Sequence, residues 1–134
     1  VLPAVHTVPA VGYAVCSLEQ PGGSWVFSGD TGHNPAFWQR VNQLDVGLLV
    51  IETAFSEREC RLANISQHLC PSTLAAQLAM MRPDATYPIY ITHTKPAETA
   101  LIMGQIGDMH LQRQRQGLHP IHIGWLHAGQ ELVV

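Results

Sequence analysis

The chain has 134 residues, of which 46% are hydrophobic and only 13% charged, and its formal net charge is −3. This length suits a single domain, residues 1–134, with a modest core. Seven basic residues without a basic stripe argue against an extended grip on nucleic acid phosphates. No apolar run is long enough for a transmembrane helix, which argues against a membrane protein.

The start of the chain gives two further expectations. It begins with Val1 rather than Met, and its first residues lack the basic segment of a signal peptide. We therefore expect a cytoplasmic protein whose sequence begins part-way through a fold.

The first third of the chain predicts strands, a hairpin and a helix. Residues 1–5 read as the end of a strand leading to His6, and residues 11–16 and 24–27 as two strands joined by a turn at 20–23. Asn34 can then cap a helix that has Pro35 at its first position and runs to about residue 43. The apolar stripe expected on its core side is Phe37, Val41 and Leu44.

The remainder alternates strands with helices. The run at 46–51 is continuously apolar, as in a strand covered on both faces, and residues 55–66 predict a loop or irregular helix. Helices are predicted from Pro71 to about residue 81 and over 97–114, with strands at 88–92, 121–126 and 131–134. This order predicts an α/β fold with a mixed sheet and flanking helices, about half of a two-sheet sandwich.

The Ser-Gly-Asp-Thr-Gly run at 28–32 is the most informative stretch. Two glycines flank Asp30 directly after the predicted strand at 24–27, where the backbone must turn sharply. A carboxylate held out in this way can offer its oxygens to one cation or to two. Alone, the run is also compatible with an ordinary turn closed by the Asp side chain.

Two histidines at strand ends strengthen the metal interpretation. His6 follows the first predicted strand, and His93 follows the strand at 88–92. Imidazole and carboxylate are the ligands of catalytic zinc, manganese or iron sites that keep a position open for water. Two such metals bridged by a carboxylate form a site that cleaves phosphoesters. Each histidine alone could equally be structural or surface-exposed.

Other polar residues leave alternatives open. His68 lies just ahead of a predicted helix, where it could donate a proton or be exposed and inert. Glu52 could orient a ligand, although a solvated acid at a strand end is the simpler expectation. The remaining histidines are predicted not to be ligands: His33, His110, His119, His122 and His127. The cysteines fit reduced, buried thiols better than a disulfide or zinc site: Cys16, Cys60 and Cys70.

A family resemblance joins these pieces. The chain resembles the second half of a metallo-β-lactamase-fold hydrolase in His6, in Val-Gly-Tyr at 11–13 and in Phe-Ser-Gly-Asp-Thr-Gly at 27–32. It is most similar to class II cyclic-nucleotide phosphodiesterases in His-Leu-Cys-Pro at 68–71, Ile-Thr-His-Thr-Lys-Pro at 91–96 and Gly-Gln-Glu-Leu at 129–132. The resemblance spans essentially the whole chain and implies half of an αββα sandwich.

The resemblance also implies roles for four residues. His6 is expected to bind one metal, His93 the second, and Asp30 both, while His68 lies near the scissile phosphate as the catalytic residue. The family usually has Gly-His-Leu-Thr-Pro, so this chain departs from it at Gln67 and Cys70. The His-x-His-x-Asp-His motif that supplies most ligands of the superfamily is absent from the 134 residues.

Three functions follow as expectations. The first is the C-terminal half of a phosphodiesterase that hydrolyses 3′,5′-cyclic nucleotides with two divalent metal ions, zinc above all. The second is another hydrolase on this fold, such as a tRNA 3′-processing ribonuclease. The third is a non-catalytic half-domain that serves as an assembly module. The low charge and the half-sandwich predict a homo-oligomer formed through an exposed sheet face.

Overall fold

The computed structural model describes residues 1–19, 22–118 and 120–132. Within these ranges the chain forms a six-stranded sheet of β1 Leu2–Pro3, β2 Val11–Val15, β3 Ser24–Phe27, β4 Val46–Glu52, β5 Ile89–Thr92 and β6 Ile123–Trp125. The helices are α1 Pro35–Val41, α2 Cys60–Ser66, α3 Pro71–Leu78 and α4 Thr99–Arg115, with a single 3₁₀ turn at Glu57–Glu59. The predicted mixed sheet with flanking helices is therefore confirmed.

The strands lie in the sheet in the order in which they occur along the chain. β1, β2 and β3 pair antiparallel, which confirms the predicted hairpin of β2 and β3, although part of its turn, residues 20 and 21, lies outside the described residues. β3, β4, β5 and β6 pair parallel, and helices connect them. Successive right-handed crossovers that advance in one direction place their helices on one face of the sheet.

The main hydrophobic core lies between that inner face and three helices. α1, α3 and α4 pack buried side chains against β3, β4 and β5, and the largest of them are Phe37, Trp38, Leu74, Leu78, Ile102 and Ile106. Asn34 caps α1 as predicted, because its side-chain oxygen accepts the backbone N–H of Phe37 at 3.1 Å. Leu44 and Met81, expected on helices, lie beyond the helix ends but still pack against this core.

The opposite face of the sheet is covered by no helix among the described elements. We call it the outer face, and strand register places on it Tyr13, Val15, Trp25, Phe27, Leu48, Val50 and Tyr90. Tyr13 is 46% exposed and Val15 53% exposed, whereas Leu48 and Val50 are buried. The outer face is therefore a largely apolar surface.

Three details differ from the sequence expectations. The strand expected over 121–126 is limited to β6, and the one expected over 1–5 is the two-residue β1. The strand expected at 131–134 is not formed at residues 131 and 132, and its last two residues lie outside the described residues.

No described helix is both long and apolar enough to cross a bilayer.

The expectation of reduced, buried thiols was wrong in its redox state for Cys60 and Cys70 and in its burial for Cys16, although Cys70 is buried as expected. Cys60 and Cys70 form a disulfide, with their Cα atoms 5.4 Å apart, a common separation for such bonds. Cys16 is a free thiol but is exposed. The pairing could not be inferred from spacing, because only the tertiary fold places the first residue of α2 beside the residue that precedes α3.

Candidate metal centre

The candidate site lies at the sheet edge where the parallel strands end. β3 runs into the loop with Asp30, β4 ends at Glu52, and β5 is followed directly by His93. β1 has the same direction as β3, because two antiparallel pairings separate them, so His6 reaches the same edge. Strand direction thus brings together residues that are distant in the sequence.

The loop after β3 has the conformation that its glycines predict. Gly29 has φ +65°, which an L side chain rarely adopts, and a Cβ there would collide with the carbonyl oxygen of Val11. The backbone N–H of Gly32 donates to the carbonyl of Val5 at 2.8 Å, which ties the loop to the segment that carries His6. The loop is therefore anchored on both sides of Asp30.

Three of the predicted site residues form one donor group. A ring nitrogen of His6, a carboxylate oxygen of Asp30 and a ring nitrogen of His68 lie within 4.8 Å of one another. The His6 and His68 rings are 4.7 Å apart between centroids. This group could hold a metal ion, and it includes His68, for which the family resemblance implies a catalytic role.

His93 joins the group through Asp30. Its Nδ1 lies 2.7 Å from Asp30 Oδ1, and its ring centroid lies 5.2 Å from that of His68. His93 has φ 61°, a costly conformation for a non-glycine residue that the surrounding structure must stabilise. The side chains of His93 and Asp30 are 47% and 36% exposed, so these donors face solvent.

Glu52 holds His68 in place and contradicts the expectation of a solvated acid. Its side chain is fully buried, and its Oε1 lies 2.7 Å from Nδ1 of His68. Its carboxylate oxygens also accept three backbone N–H groups, from Thr31 at 3.0 Å, Ala54 at 3.1 Å and Leu69 at 3.3 Å. Glu52 is therefore a positioning residue that joins three segments of the site.

Burial shifts the acid–base behaviour of this pair. Desolvation raises the pKa of Glu52 from 4.5 to about 7, although backbone donors and the charge of His93 oppose the rise. Desolvation also lowers the pKa of His68, and the charge of His6 adds to this effect while Asp30 opposes it. Burial therefore disfavours the charged form of both members of the pair.

The other histidines lie away from this group where the structure describes them. His33, His122 and His127 are exposed, His110 is half-buried, and His119 lies outside the described residues. His33 accepts a hydrogen bond from the Gln77 amide at 2.7 Å if its Nδ1 is unprotonated. Sequence reasoning therefore found the converging residues but underrated Glu52, whose only signal was its position after a continuously apolar strand.

Comparison with known proteins supports the fold. No protein-family model matches the sequence, and no curated protein matches it either. Among solved structures, the crystal structure of unliganded yeast PDE1 matches with a TM-score of 0.60 and 14% identity. The alignment covers 78% of this chain and 34% of the PDE1 chain, so this chain spans about a third of its neighbour. The neighbour has a metallo-β-lactamase-type fold, which confirms the predicted fold class.

The pKa of Glu52 yields a prediction. Because the folded chain keeps this proton to a higher pH than the unfolded chain, its contribution to the free energy of unfolding falls as the pH rises from 4.5 to about 7. The lowered pKa of His68 makes the free energy of unfolding change with pH in the opposite direction, so a stability curve does not isolate Glu52. The titration of the Glu52 carboxyl group is therefore followed directly. In ¹³C NMR spectra of the labelled, metal-free protein, one glutamate carboxyl signal should titrate near pH 7. This signal should be absent from the spectra of Glu52→Gln.

The exposed Glu19 supplies the matched control. Glu19→Gln should leave the titration near pH 7 unchanged, because Glu19 is exposed whereas Glu52 is buried. A Glu52 carboxyl that titrates below about pH 5 would contradict the interpretation, because it would mean that the hydrogen bonds outweigh burial.

Proposed function

We propose that this chain is the C-terminal half of a metal-dependent phosphodiesterase that hydrolyses 3′,5′-cyclic nucleotides. The observation that carries the proposal is the convergence of His6, Asp30 and His68 within 4.8 Å, with His93 on Asp30, at one edge of a metallo-β-lactamase-type fold. A small anionic phosphodiester suits a chain with seven basic residues better than a long nucleic acid does.

The donor set fits divalent metal ions. Imidazole nitrogens and a carboxylate suit zinc, manganese or iron, and the exposure of Asp30 and His93 leaves room for a substrate. We assign His6 to one ion, His93 to the second and Asp30 to both. When bound, the two ions would activate water and stabilise negative charge on the phosphoryl oxygens. A catalytic zinc normally has about three protein ligands, so we place the remaining ligands in a His-x-His-x-Asp-His motif elsewhere in a longer protein.

His68 is proposed as the proton donor to the leaving oxygen. Near neutral pH a protonated Glu52 can donate its O–H to Nδ1 of His68, which leaves the proton of the neutral ring on Nε2. As Nε2 gives its proton to the leaving oxygen, Nδ1 takes the proton of Glu52, and the carboxylate that remains is stabilised by three backbone donors. The buried pair thus replaces the proton that His68 gives up.

The outer face favours a second role in assembly. Its apolar and aromatic side chains include Trp25 and Phe27, whose rings stack with centroids 6.1 Å apart. Exposed apolar patches of this kind usually mark interaction surfaces. We propose that two copies pair through this face, in a cytoplasmic homo-oligomer. If the chain shows no hydrolytic activity even within a longer protein, the assembly role replaces the catalytic one. If the chain belongs to a tRNA 3′-processing ribonuclease, the longer protein should cleave RNA in the assay below.

Metal binding to the chain is the first test. We expect the 134-residue chain to bind one zinc ion weakly in titration calorimetry and to show no hydrolysis of cyclic nucleotides, because it lacks the remaining ligands. Asp30→Asn should weaken binding at least about tenfold, as loss of a carboxylate ligand does. The exposed Asp84→Asn should leave it unchanged. Two tightly held ions with steady turnover would contradict the proposal of a half-site.

The role of His68 is tested in the longer protein that we propose. The assay offers cyclic AMP, cyclic GMP and a precursor tRNA as substrates. His68→Ala should lower kcat on the cyclic nucleotides roughly 10²–10⁴-fold, and the content of bound metal should not change. The exposed His122→Ala is the matched control and should retain activity. Loss of bound metal from His68→Ala would make it a ligand, as its place in the donor group allows.

Pairing through the outer face is tested by sedimentation velocity. Val15→Glu places a charge on the exposed edge of this face. Pairing would bury this carboxylate without a partner at a cost of about 3 kcal/mol or more, so the variant should be monomeric. The matched control is Leu111→Glu, which changes an exposed apolar side chain on α4 to the same charge. A wild-type chain that is monomeric at high concentration would refute the pairing.

A further inference from the structure

The Cys60–Cys70 disulfide lies beside the candidate site but takes no part in it. Cys60 is the first residue of α2, and Cys70 immediately precedes α3. The loop that the disulfide closes contains His68, two residues before Cys70. In reducing compartments disulfides are rare, and those that form are mostly transient, catalytic or redox-sensing. A redox role therefore depends on how the surroundings of the two sulfurs differ.

The two cysteines differ in access. Cys70 is fully buried with Ala54, Phe55 and Ala63 in a second, small hydrophobic cluster, whereas Cys60 is half-buried at its edge. A cleft of about 420 Å³ is lined in part by Glu57 and Ser72, which lie near the two sulfurs, although neither cysteine lines it. An external nucleophile can thus reach the sulfur of Cys60 more readily than that of Cys70.

The two cysteines also differ in how well they can carry negative charge. The Ser72 hydroxyl oxygen lies 3.4 Å from both sulfurs, but only Cys70 stands at the N-terminus of the eight-residue α3 with its Sγ also 3.4 Å from the Thr73 hydroxyl oxygen. Hydroxyl donors and a helix N-terminus stabilise a thiolate. The Glu57 carboxylate, within 4.8 Å of both sulfurs, opposes negative charge there. Cys70 is therefore the sulfur suited to leave, and Glu57 moderates the rate.

We propose that Cys60 and Cys70 form a thiol–disulfide exchange site whose co-substrate is a small thiol of the glutathione class. The thiolate attacks Sγ of Cys60, a new sulfur–sulfur bond forms, and Cys70 leaves with the electron pair and takes a proton from water. A second thiolate then attacks the sulfur of the bound thiol and releases the Cys60 thiol. The protein disulfide gains two electrons, and two small thiols become one disulfide.

The exchange acts on the segment that carries His68. Two hydrogen bonds also hold this segment. The backbone N–H of Leu69 donates to the Glu52 carboxylate at 3.3 Å, and the backbone N–H of Phe55 donates to the carbonyl oxygen of Leu69 at 3.2 Å. With the disulfide broken, only noncovalent contacts such as these and the His68–Glu52 contact keep the segment in place, so its amides should exchange faster with solvent. This site goes beyond the phosphodiesterase proposal, because its chemistry requires neither metal nor nucleotide.

The test uses the chain with Cys16→Ser, which removes the exposed free thiol. The protein is treated with reduced glutathione at millimolar concentration, quenched with acid and mapped by mass spectrometry. We expect the glutathione adduct on Cys60 in at least roughly tenfold excess over Cys70, because the attacked sulfur is the accessible one and the leaving sulfur is the stabilised one. Trapping requires no change to either cysteine, so it does not depend on the folding of a variant.

Two further variants examine the surroundings of the sulfurs. Ser72→Ala removes a donor to the leaving thiolate and should slow exchange several-fold, about 3- to 10-fold, whereas Glu57→Gln removes a repelling charge and should speed it by a similar factor. A purely structural disulfide would show neither response. Hydrogen exchange of residues 61–69 should rise on reduction, independently of any hydrolytic activity.

Three results would overturn the proposal. The first is a disulfide that resists millimolar glutathione in the folded chain. The second is an adduct that forms mainly on Cys70. The third is reduced protein in which zinc protects both thiols from glutathione disulfide, since Glu57 and the two thiolates would then be a metal site instead.

Discussion

The buried carboxylate of Glu52 is the interaction on which the candidate site depends. It stands at the end of β4, fully shielded from solvent, and accepts hydrogen bonds from the loop after β3, from the residues that follow β4 and from the segment that carries His68. A buried carboxylate is costly unless all its partners are present, so these segments are held together as one unit. The positions of Asp30 and His68 relative to each other follow from this requirement.

The order of the strands has a second consequence, which concerns the two faces of the sheet. Because β3 to β6 advance in one direction with helical crossovers, the core helices lie on the inner face, and none of the described helices covers the outer face. The same parallel arrangement places the strand ends, with Asp30, Glu52 and His93, at one edge. One topological feature thus produces both the donor group and the apolar surface, which links the catalytic and assembly hypotheses in a single architecture.

The departures from the motif of the phosphodiesterases that the sequence resembles lie together near His68. Cys70 stands where that motif usually has Thr, and it supplies one sulfur of the disulfide. The Thr73 hydroxyl oxygen accepts a hydrogen bond of 2.8 Å from the backbone N–H of Cys70, which satisfies one backbone donor at the start of α3. The helix therefore starts in regular fashion with a cysteine at this position, and the cysteine adds a covalent link to α2.

The sequence by itself determined the local elements and the residues with metal-binding chemistry, because periodicity, prolines, glycines and residue type are local properties. The helix cap at Asn34, the strong turn at Gly29 and the strand ends at Asp30 and His93 could all be predicted in this way. Only the tertiary structure decided that Glu52 is buried, that Cys60 is bonded to Cys70 and that His68 enters the donor group of His6 and Asp30. These three facts depend on which segments meet across the sheet edge, and burial and pairing between distant residues leave no periodic trace in the chain.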